Sequence, residues 1–172
     1  AVIIQEVVGQ QHGTRFYPAI SGVGRSLNYY PINDERADEG IVSLALGLGK
    51  YIVDGGLTLR VCPHHPAKVL QTSETEIALR ETQTRFYALD LTNRGDNFSI
   101  DDSFNLLRLP VKEAEKDGSL QFIASTYNAT DQVIYPGVYP GGRKIMSFVG
   151  VLEHDVVPLP TLLQEILHLG QH

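Results

Sequence analysis

The chain of 172 residues contains a single cysteine, Cys62. A lone cysteine excludes a disulfide within the chain, and proteins without disulfides are typical of a reducing compartment. We therefore expect a cytoplasmic protein that is stabilised by one hydrophobic core, although a domain cut from a protein of another compartment would also fit.

The sequence is poor in positive charge and in long hydrophobic runs. Fourteen lysine and arginine residues stand against 20 aspartate and glutamate residues, which gives a net charge of −6. The basic residues are scattered, whereas a surface that binds nucleic acid needs them clustered. The longest apolar stretch, residues 41–53, is interrupted by Gly47, Gly49 and Lys50, and a membrane helix needs about 18 apolar residues or more. We expect neither nucleic acid nor a membrane as a partner.

The two ends of the chain are apolar. Met146 is the only methionine, and residues 1–8 form an apolar, strand-like run. The last residues, 159–172, have the spacing of an amphipathic helix, on which we expect Leu159, Leu163 and Ile166 to be buried. Natural termini are usually polar and poorly ordered. We therefore expect residues 1–172 to form a single domain that belongs to a larger domain and is truncated at both ends.

Short local patterns predict an α+β fold. An apolar strand over residues 41–46 leads into Gly47-Leu48-Gly49-Lys50, a helical turn that ends at a glycine, and a strand over residues 57–62. Ser73 and Glu76 have the spacing of a capping box, which predicts a helix over residues 74–85. Further strands are predicted over residues 1–8, 15–28, 104–109, 120–127 and 144–149, with a loop over residues 93–102. Because strands and helices do not alternate regularly, we expect a mixed, mostly antiparallel sheet with flanking helices.

The segment Gly47-Leu48-Gly49-Lys50, called here the glycine turn, is a candidate phosphate site. Backbone N–H groups at the start of a helical turn, next to a lysine, can hold a phosphate group. The turn lacks the longer glycine spacing and the Lys-Ser/Thr pair of a Walker loop. The alternative is structural: Gly47 and Gly49 allow a tight turn under close packing.

Other candidate sites have simpler interpretations. Cys62-Pro63-His64-His65 contains three potential metal ligands, but a zinc site needs a second ligand pair, and only remote histidines are left to supply it. We interpret this segment as a surface loop and expect no bound zinc. The acidic residues Asp101 and Asp102, and the acidic cluster around Glu113, Glu115 and Asp117, are expected to form solvated faces.

Three stretches, in order and spacing, resemble the nucleotide-binding domain of the phosphoenolpyruvate synthase and pyruvate phosphate dikinase family. They are Val2-Ile3-Ile4-Gln5-Glu6-Val7-Val8, then Ser21-Gly22-Val23, then Gly47-Leu48-Gly49 followed by Ile52-Val53-x-Gly55. The family has a valine-rich strand with Gln and two hydrophobic residues, a Ser-Gly-Val strand, and Gly-Leu-Gly-Glu with Val-x-Gly. The close resemblance ends near residue 65.

The resemblance implies an ATP-grasp subdomain in which ATP lies between two α+β units. Gln5, Glu6, Val7 and Val8, called here the hinge segment, would contact the adenine, with Glu6 and Val8 offering main-chain groups. Lys50 stands where the family usually has Glu, so it would face a phosphate rather than a metal ion. No catalytic residue and no metal ligand is assigned to this chain.

The resemblance also implies a parent enzyme. Family members use ATP and Mg²⁺ to phosphorylate a histidine on a swivelling domain, and a further domain passes the phosphate to pyruvate. Their Mg²⁺-binding acidic strand and phosphate-facing Gln-x-Arg strand follow a helix like residues 159–172, so the isolated chain is expected to be inactive. The alternatives are a non-catalytic ATP-grasp-like binding module, which Lys50 and the divergent residues 80–149 favour, and a plain structural insertion domain.

Overall fold

The computed structural model of the chain describes residues 2, 4–92, 101, 103–154 and 156–170. The strands are β1 Gln10–His12, β2 Arg15–Tyr17, β3 Ser21–Arg25, β4 Ile41–Ala45, β5 Leu59–Val61, β6 Arg85–Asp90, β7 Leu106–Pro110, β8 Ser125–Asn128, β9 Val133–Pro136 and β10 Arg143–Ile145. The helices are α1 Lys50–Val53, α2 Thr75–Glu81, α3 Val111–Lys116, α4 Val149–Leu152 and α5 Leu159–Leu169. Short 3-10 turns occur at Ala37–Glu39 and Leu70–Thr72.

The strands form three small sheets, with the orders β1-β2-β6-β7, β3-β4-β5 and β10-β8-β9. Every pairing between described strands is antiparallel. The predicted α+β class with antiparallel pairing is therefore confirmed, although the strands divide among separate sheets where we expected one.

One hydrophobic core joins the sheets and helices. Tyr17 of β2 and Phe86 of β6 are both fully buried, and their ring centroids lie 4.7 Å apart. Leu44 of β4, Ile123 and Phe148 are among the other large side chains that are fully buried in this core. Burial of apolar area of this kind is the main favourable contribution to folding.

The region from β4 to β5 follows the sequence prediction closely. The apolar run of β4 is buried at Ile41, Val42, Leu44 and Ala45, as expected for a central strand with partners on both sides. After the glycine turn, α1 is only four residues long and is followed by Gly55 at φ +79°. This order of strand, glycine turn, helical turn and strand is confirmed.

The strand predicted over residues 1–8 is wrong for the part of it that the structure describes. Residues 2 and 4–8 have no strand assignment, and Val2, Ile4 and Val8 are 89%, 94% and 81% exposed. An extended apolar run becomes a strand only when another strand offers hydrogen bonds to it, and no described strand pairs with these residues.

The terminal helix α5 docks by a narrower stripe than predicted. Leu163 and Leu167 are buried, and a Cβ added to Gly24 or Gly40 would meet the Leu167 side chain at 3.0 or 2.9 Å. The glycines thus let the helix approach β3 closely. Ile166, predicted to be buried, is 60% exposed, because the contact is made by an i, i+4 pair on one side of the apolar face.

The capping box predicted at Ser73 is also wrong. The Ser73 hydroxyl donates to the Leu70 carbonyl at 2.8 Å, and α2 starts after Glu74 without a side-chain cap. The helix ends at Glu81, earlier than predicted, and Arg85–Asp90 forms the strand β6, which the local pattern did not predict.

Two other predicted strands are shorter in the structure than in the prediction. The strands predicted over residues 120–127 and 144–149 are confined to β8 and β10, and α4 occupies the end of the second range. Most of the loop predicted over residues 93–102 lies outside the described residues. Among the helices that are described, none is both long enough and apolar enough to cross a membrane.

Candidate functional site

The glycine turn is packed tightly at its first residue. Gly47 has φ +86°, and its N–H donates to the Pro18 carbonyl at 3.1 Å. A Cβ at this position would lie 2.6 Å from the Tyr87 carbonyl oxygen and 2.9 Å from the Phe86 Cβ. The next amide, of Leu48, donates to the same Tyr87 oxygen at 2.9 Å. Close packing therefore explains the glycine at position 47.

Gly49 is in a different situation. It has helical angles, φ −58° and ψ −20°, at the residue that precedes α1. A Cβ there would have only the Ser21 Cβ as a neighbour, at 3.9 Å. Neither the backbone conformation nor packing requires glycine at this position, so the turn has open space beside Lys50.

Polar groups surround the turn on the side of β3 and α1. The Ser21 hydroxyl donates to the Gly47 carbonyl at 2.6 Å, which holds the turn against the start of β3. The Lys50 ammonium lies 3.5 Å from the Asp54 carboxylate, one helical turn later, and both side chains are more than one-third exposed. An exposed pair of this kind is weak, so Lys50 can turn toward a stronger anion.

The residue that follows the hinge segment, Gly9, packs against Tyr17 and Pro18, and this place is called here the corner at Pro18. A Cβ added to Gly9, the residue after Val8, would lie 2.8 Å from the Tyr17 carbonyl carbon and 3.0 Å from the Pro18 nitrogen. Pro18 is the residue whose carbonyl binds Gly47. Gly9, which follows the hinge segment, and Gly47, which begins the glycine turn, are therefore both next to Pro18. The side chains of Gln5, Glu6, Val7 and Val8 are exposed.

Gln83 is a residue that the sequence analysis missed. Its side chain is almost fully buried and accepts from the Leu46 amide at 2.8 Å. Its Nε2 donates to the Leu46 and Arg85 carbonyls at 3.0 and 2.8 Å. Gln83 thereby fixes the backbone immediately before the glycine turn. The sequence carried no signal for it, because Gln83 stands among the polar residues 81–85 and inside the predicted helix.

The segment Cys62-Pro63-His64-His65 is less exposed than predicted. Cys62 is fully buried, and burial raises the pKa of its thiol. Its Sγ lies 3.7 Å from the Glu39 carboxylate, and the His65 Nε2 lies 3.2 Å from the same group. Only His64 has the exposure of a surface loop. In the described part of the chain, no three His, Cys, Asp or Glu residues are grouped so as to hold a metal ion. The absence of zinc stays a prediction.

The acidic cluster around α3 forms ion pairs instead of a purely solvated face. Arg15 of β2 lies 3.0 Å from Glu113 and 2.6 Å from Asp117. Hydrogen bonds from Lys116 and Arg15 lower the pKa of the Glu113 carboxyl. The Tyr17 hydroxyl donates to Asp117 at 2.7 Å. These contacts join β2 to α3 across about a hundred residues of sequence, so no local pattern could have indicated them.

Tyr17 gives a prediction for alkaline pH. Burial raises the pKa of its hydroxyl above the ordinary value, which is about 10. Below about pH 10 the folded and unfolded chains both keep this proton. Above that pH the unfolded chain releases it first, so the free energy of unfolding falls by up to about 1.4 kcal/mol per pH unit.

The measurement is urea unfolding of the wild type and of Tyr17→Phe between pH 8 and pH 11. Tyr17→Phe is less stable at neutral pH because it lacks the hydrogen bond to Asp117. We expect the stability difference between the two proteins to narrow as the pH rises above 10. Parallel pH profiles would contradict the raised pKa.

A comparison of the chain with protein-family models, curated proteins and solved structures finds no match. The inference of function therefore depends on the geometry of the residues themselves, together with the resemblance of the three sequence stretches.

Proposed function

We propose that this chain forms part of the ATP-binding site of a phosphoenolpyruvate synthase-like phosphotransferase with an ATP-grasp fold. The observation that carries the proposal is the corner formed by Tyr17 and Pro18. Gly9, the residue after the hinge segment, packs against Pro18, and the Pro18 carbonyl accepts a hydrogen bond from Gly47, the first residue of the glycine turn. The residue that follows the first stretch and the first residue of the third are therefore close to each other in space.

Each part of the corner has a role in this proposal. The exposed backbone of the hinge segment offers N–H and C=O groups to the edge of the adenine. The open space at Gly49 admits a phosphate close to the backbone, and the Lys50 ammonium supplies a charge-assisted contact to it. Gln83 and Gly47 keep the turn rigid, so that little order has to be gained when ATP binds.

The proposal extends to a parent protein that uses Mg²⁺ and ATP to phosphorylate a histidine on a swivelling domain, and then pyruvate. Phosphoryl transfer needs cations on the phosphate oxygens. Lys50 is a cation that this chain provides next to the turn. Its nearest described carboxylate, Asp54, is engaged with Lys50 itself, so we assign no Mg²⁺ ligand to these residues.

The test is a titration of the 172-residue chain with Mg·ATP, followed by its backbone amide NMR signals. We expect weak binding, with a dissociation constant of about 1 mM or weaker. The shifts should be largest in the hinge segment and the glycine turn. Lys50→Gln should weaken binding severalfold, whereas Lys68→Gln should not, because Lys68 pairs with Asp34 on a different loop.

Two results would contradict the proposal. The first is a set of shifts confined to other surfaces of the chain, and the second is equal binding by Lys50→Gln and the wild type. A non-catalytic binding module is the second candidate, because the family's Glu is replaced here by Lys50, which pairs with Asp54. A parent protein that binds ATP at this corner but transfers no phosphate would favour that module.

A further inference from the structure

A polar cleft lies between β10 and the first turn of α3. Its volume is about 490 Å³, and it is lined by Gln83, Thr84, Lys112, Gly141, Arg143 and Lys144, among others. The cleft is called here the anion cleft. None of these residues carries the resemblance to a known family, and only Gln83 also supports the glycine turn.

Lys144 forms the floor of the anion cleft. Its side chain is only 6% exposed, and the ammonium lies 3.1 Å from the Glu115 carboxylate. It also donates to the Tyr139 and Gly141 carbonyls, at 2.9 and 2.7 Å. A buried ammonium with this many partners is fixed in place, so it provides a positive charge and holds the turn that carries Gly141.

The two other basic residues of the anion cleft have no acidic partner in the part of the chain that the structure describes. Lys112 and Arg143 are exposed, and neither is within 4.0 Å of a carboxylate among the residues that the structure describes. With Lys144 they supply three positive charges, against the single negative charge of Glu115, in a chain whose net charge is −6. The cleft is therefore locally positive on an acidic protein, which favours an anionic ligand.

The glycines beside Lys144 keep the backbone accessible. Gly141 and Gly142 have φ +73° and +65°, and a Cβ on Gly141 would meet nothing within 4 Å. A Cβ on Gly142 would lie 2.5 Å from the Tyr127 carbonyl oxygen, so this residue is held against β8. A ligand can therefore reach the main chain of a turn that is itself fixed.

We propose that the anion cleft binds a phosphate group, as inorganic phosphate or diphosphate. Arg143 presents a planar guanidinium that matches two phosphate oxygens, Lys112 adds a second mobile charge, and Lys144 supplies a fixed one from below. The site goes beyond the proposed function, since it uses neither the hinge segment nor Lys50. The test of the anion cleft therefore does not depend on whether ATP binds at the corner.

The test uses inorganic diphosphate as the probe, by calorimetric titration of the whole chain. We expect a submillimolar dissociation constant that rises with ionic strength, because exposed charges are screened by salt. The double variant Lys112→Gln, Arg143→Gln should weaken binding at least tenfold. Lys116→Gln is the matched control, since Lys116 lies on the same helix but pairs with Glu113 outside the cleft, and it should bind as the wild type does.

The location of binding is checked by amide NMR. Diphosphate should shift the signals of Thr84, Lys112 and residues 141–143, and inorganic phosphate should shift the same signals more weakly. Because both substituted side chains are exposed, thermal unfolding of the double variant should match that of the wild type. Equal binding by the double variant and by Lys116→Gln would overturn the proposal, as would shifts that occur only at the glycine turn.

Discussion

Gly47→Ala is expected to destabilise the protein by about 3 kcal/mol. Two costs add at this position. The backbone has φ +86°, which costs a residue with a Cβ about 1–2 kcal/mol. The new methyl group would also lie 2.6 Å from the Tyr87 carbonyl oxygen, so either that carbonyl moves or its hydrogen bond from Leu48 is lost. Overpacking of this kind typically costs about 1–3 kcal/mol.

Gly55→Ala is the matched control, because it shares the conformation but not the crowding. Gly55 has φ +79°, and a Cβ there would meet no atom within 4 Å. We expect a loss of about 1 kcal/mol, from backbone strain alone. The measurement is the free energy of unfolding in urea for both variants. If the two losses are equal, packing does not determine the glycine at position 47, and a functional reason for it would gain support.

Gln83→Leu is expected to destabilise the protein by about 3 kcal/mol or more. The substitution keeps a similar volume but removes the partners of three backbone groups, the Leu46 N–H, the Leu46 carbonyl and the Arg85 carbonyl. Gln83 is 3% exposed, so water cannot easily replace the lost hydrogen bonds. Each buried polar group left without a partner costs about 1–3 kcal/mol.

Gln71→Leu is the control for Gln83→Leu. Gln71 makes one longer hydrogen bond, at 3.3 Å to the Thr58 carbonyl, and is partly exposed. We expect its loss to be below about 1 kcal/mol, since a solvated hydrogen bond contributes little. Denaturant unfolding of both variants measures the difference. Similar losses at the two positions would show that Gln83 does not anchor the backbone before the glycine turn.

Both predictions concern the glycine turn and the backbone just before it. Together they distinguish the residues that the fold requires from the residues that are proposed to bind ATP. Gly47 and Gln83 are explained by packing and by backbone hydrogen bonds, so their substitution should be measured as lost stability. Gly49 has open space beside it, and the Lys50 side chain is partly exposed and pairs with Asp54 at 3.5 Å. Their substitution should therefore leave the fold nearly unchanged. An effect of Lys50→Gln on ATP binding can therefore be interpreted without correction for unfolding.

The resemblance to the family assigned candidate residues near Pro18, but it did not give their arrangement in space. The stretches that resemble the family were identified from residue order alone, and the residues Gln5, Glu6, Val7, Val8 and Lys50 were assigned from them. The sequence did not show that Gly9 and Gly47 both lie next to Pro18. This arrangement follows from the path of the chain between β2 and β3, which contains Pro18.

The sequence by itself determined the elements whose stability is local. The glycine turn and α1 follow from closely spaced glycines, and α5 follows from a helical repeat. These patterns are sufficient because turns and helices depend on neighbours within a few residues.

Only the tertiary structure decided which extended segments became strands and which polar groups met. Arg85–Asp90 is a strand because β2 and β7 pair with it on its two sides, whereas residues 4–8 have no described partner strand and are not one. The bonds from Arg15 to Glu113 and from Gln83 to Leu46 also join distant parts of the chain. A backbone hydrogen bond or an ion pair needs two groups, and when the second lies tens of residues away its position is fixed by the packed core and not by the local sequence.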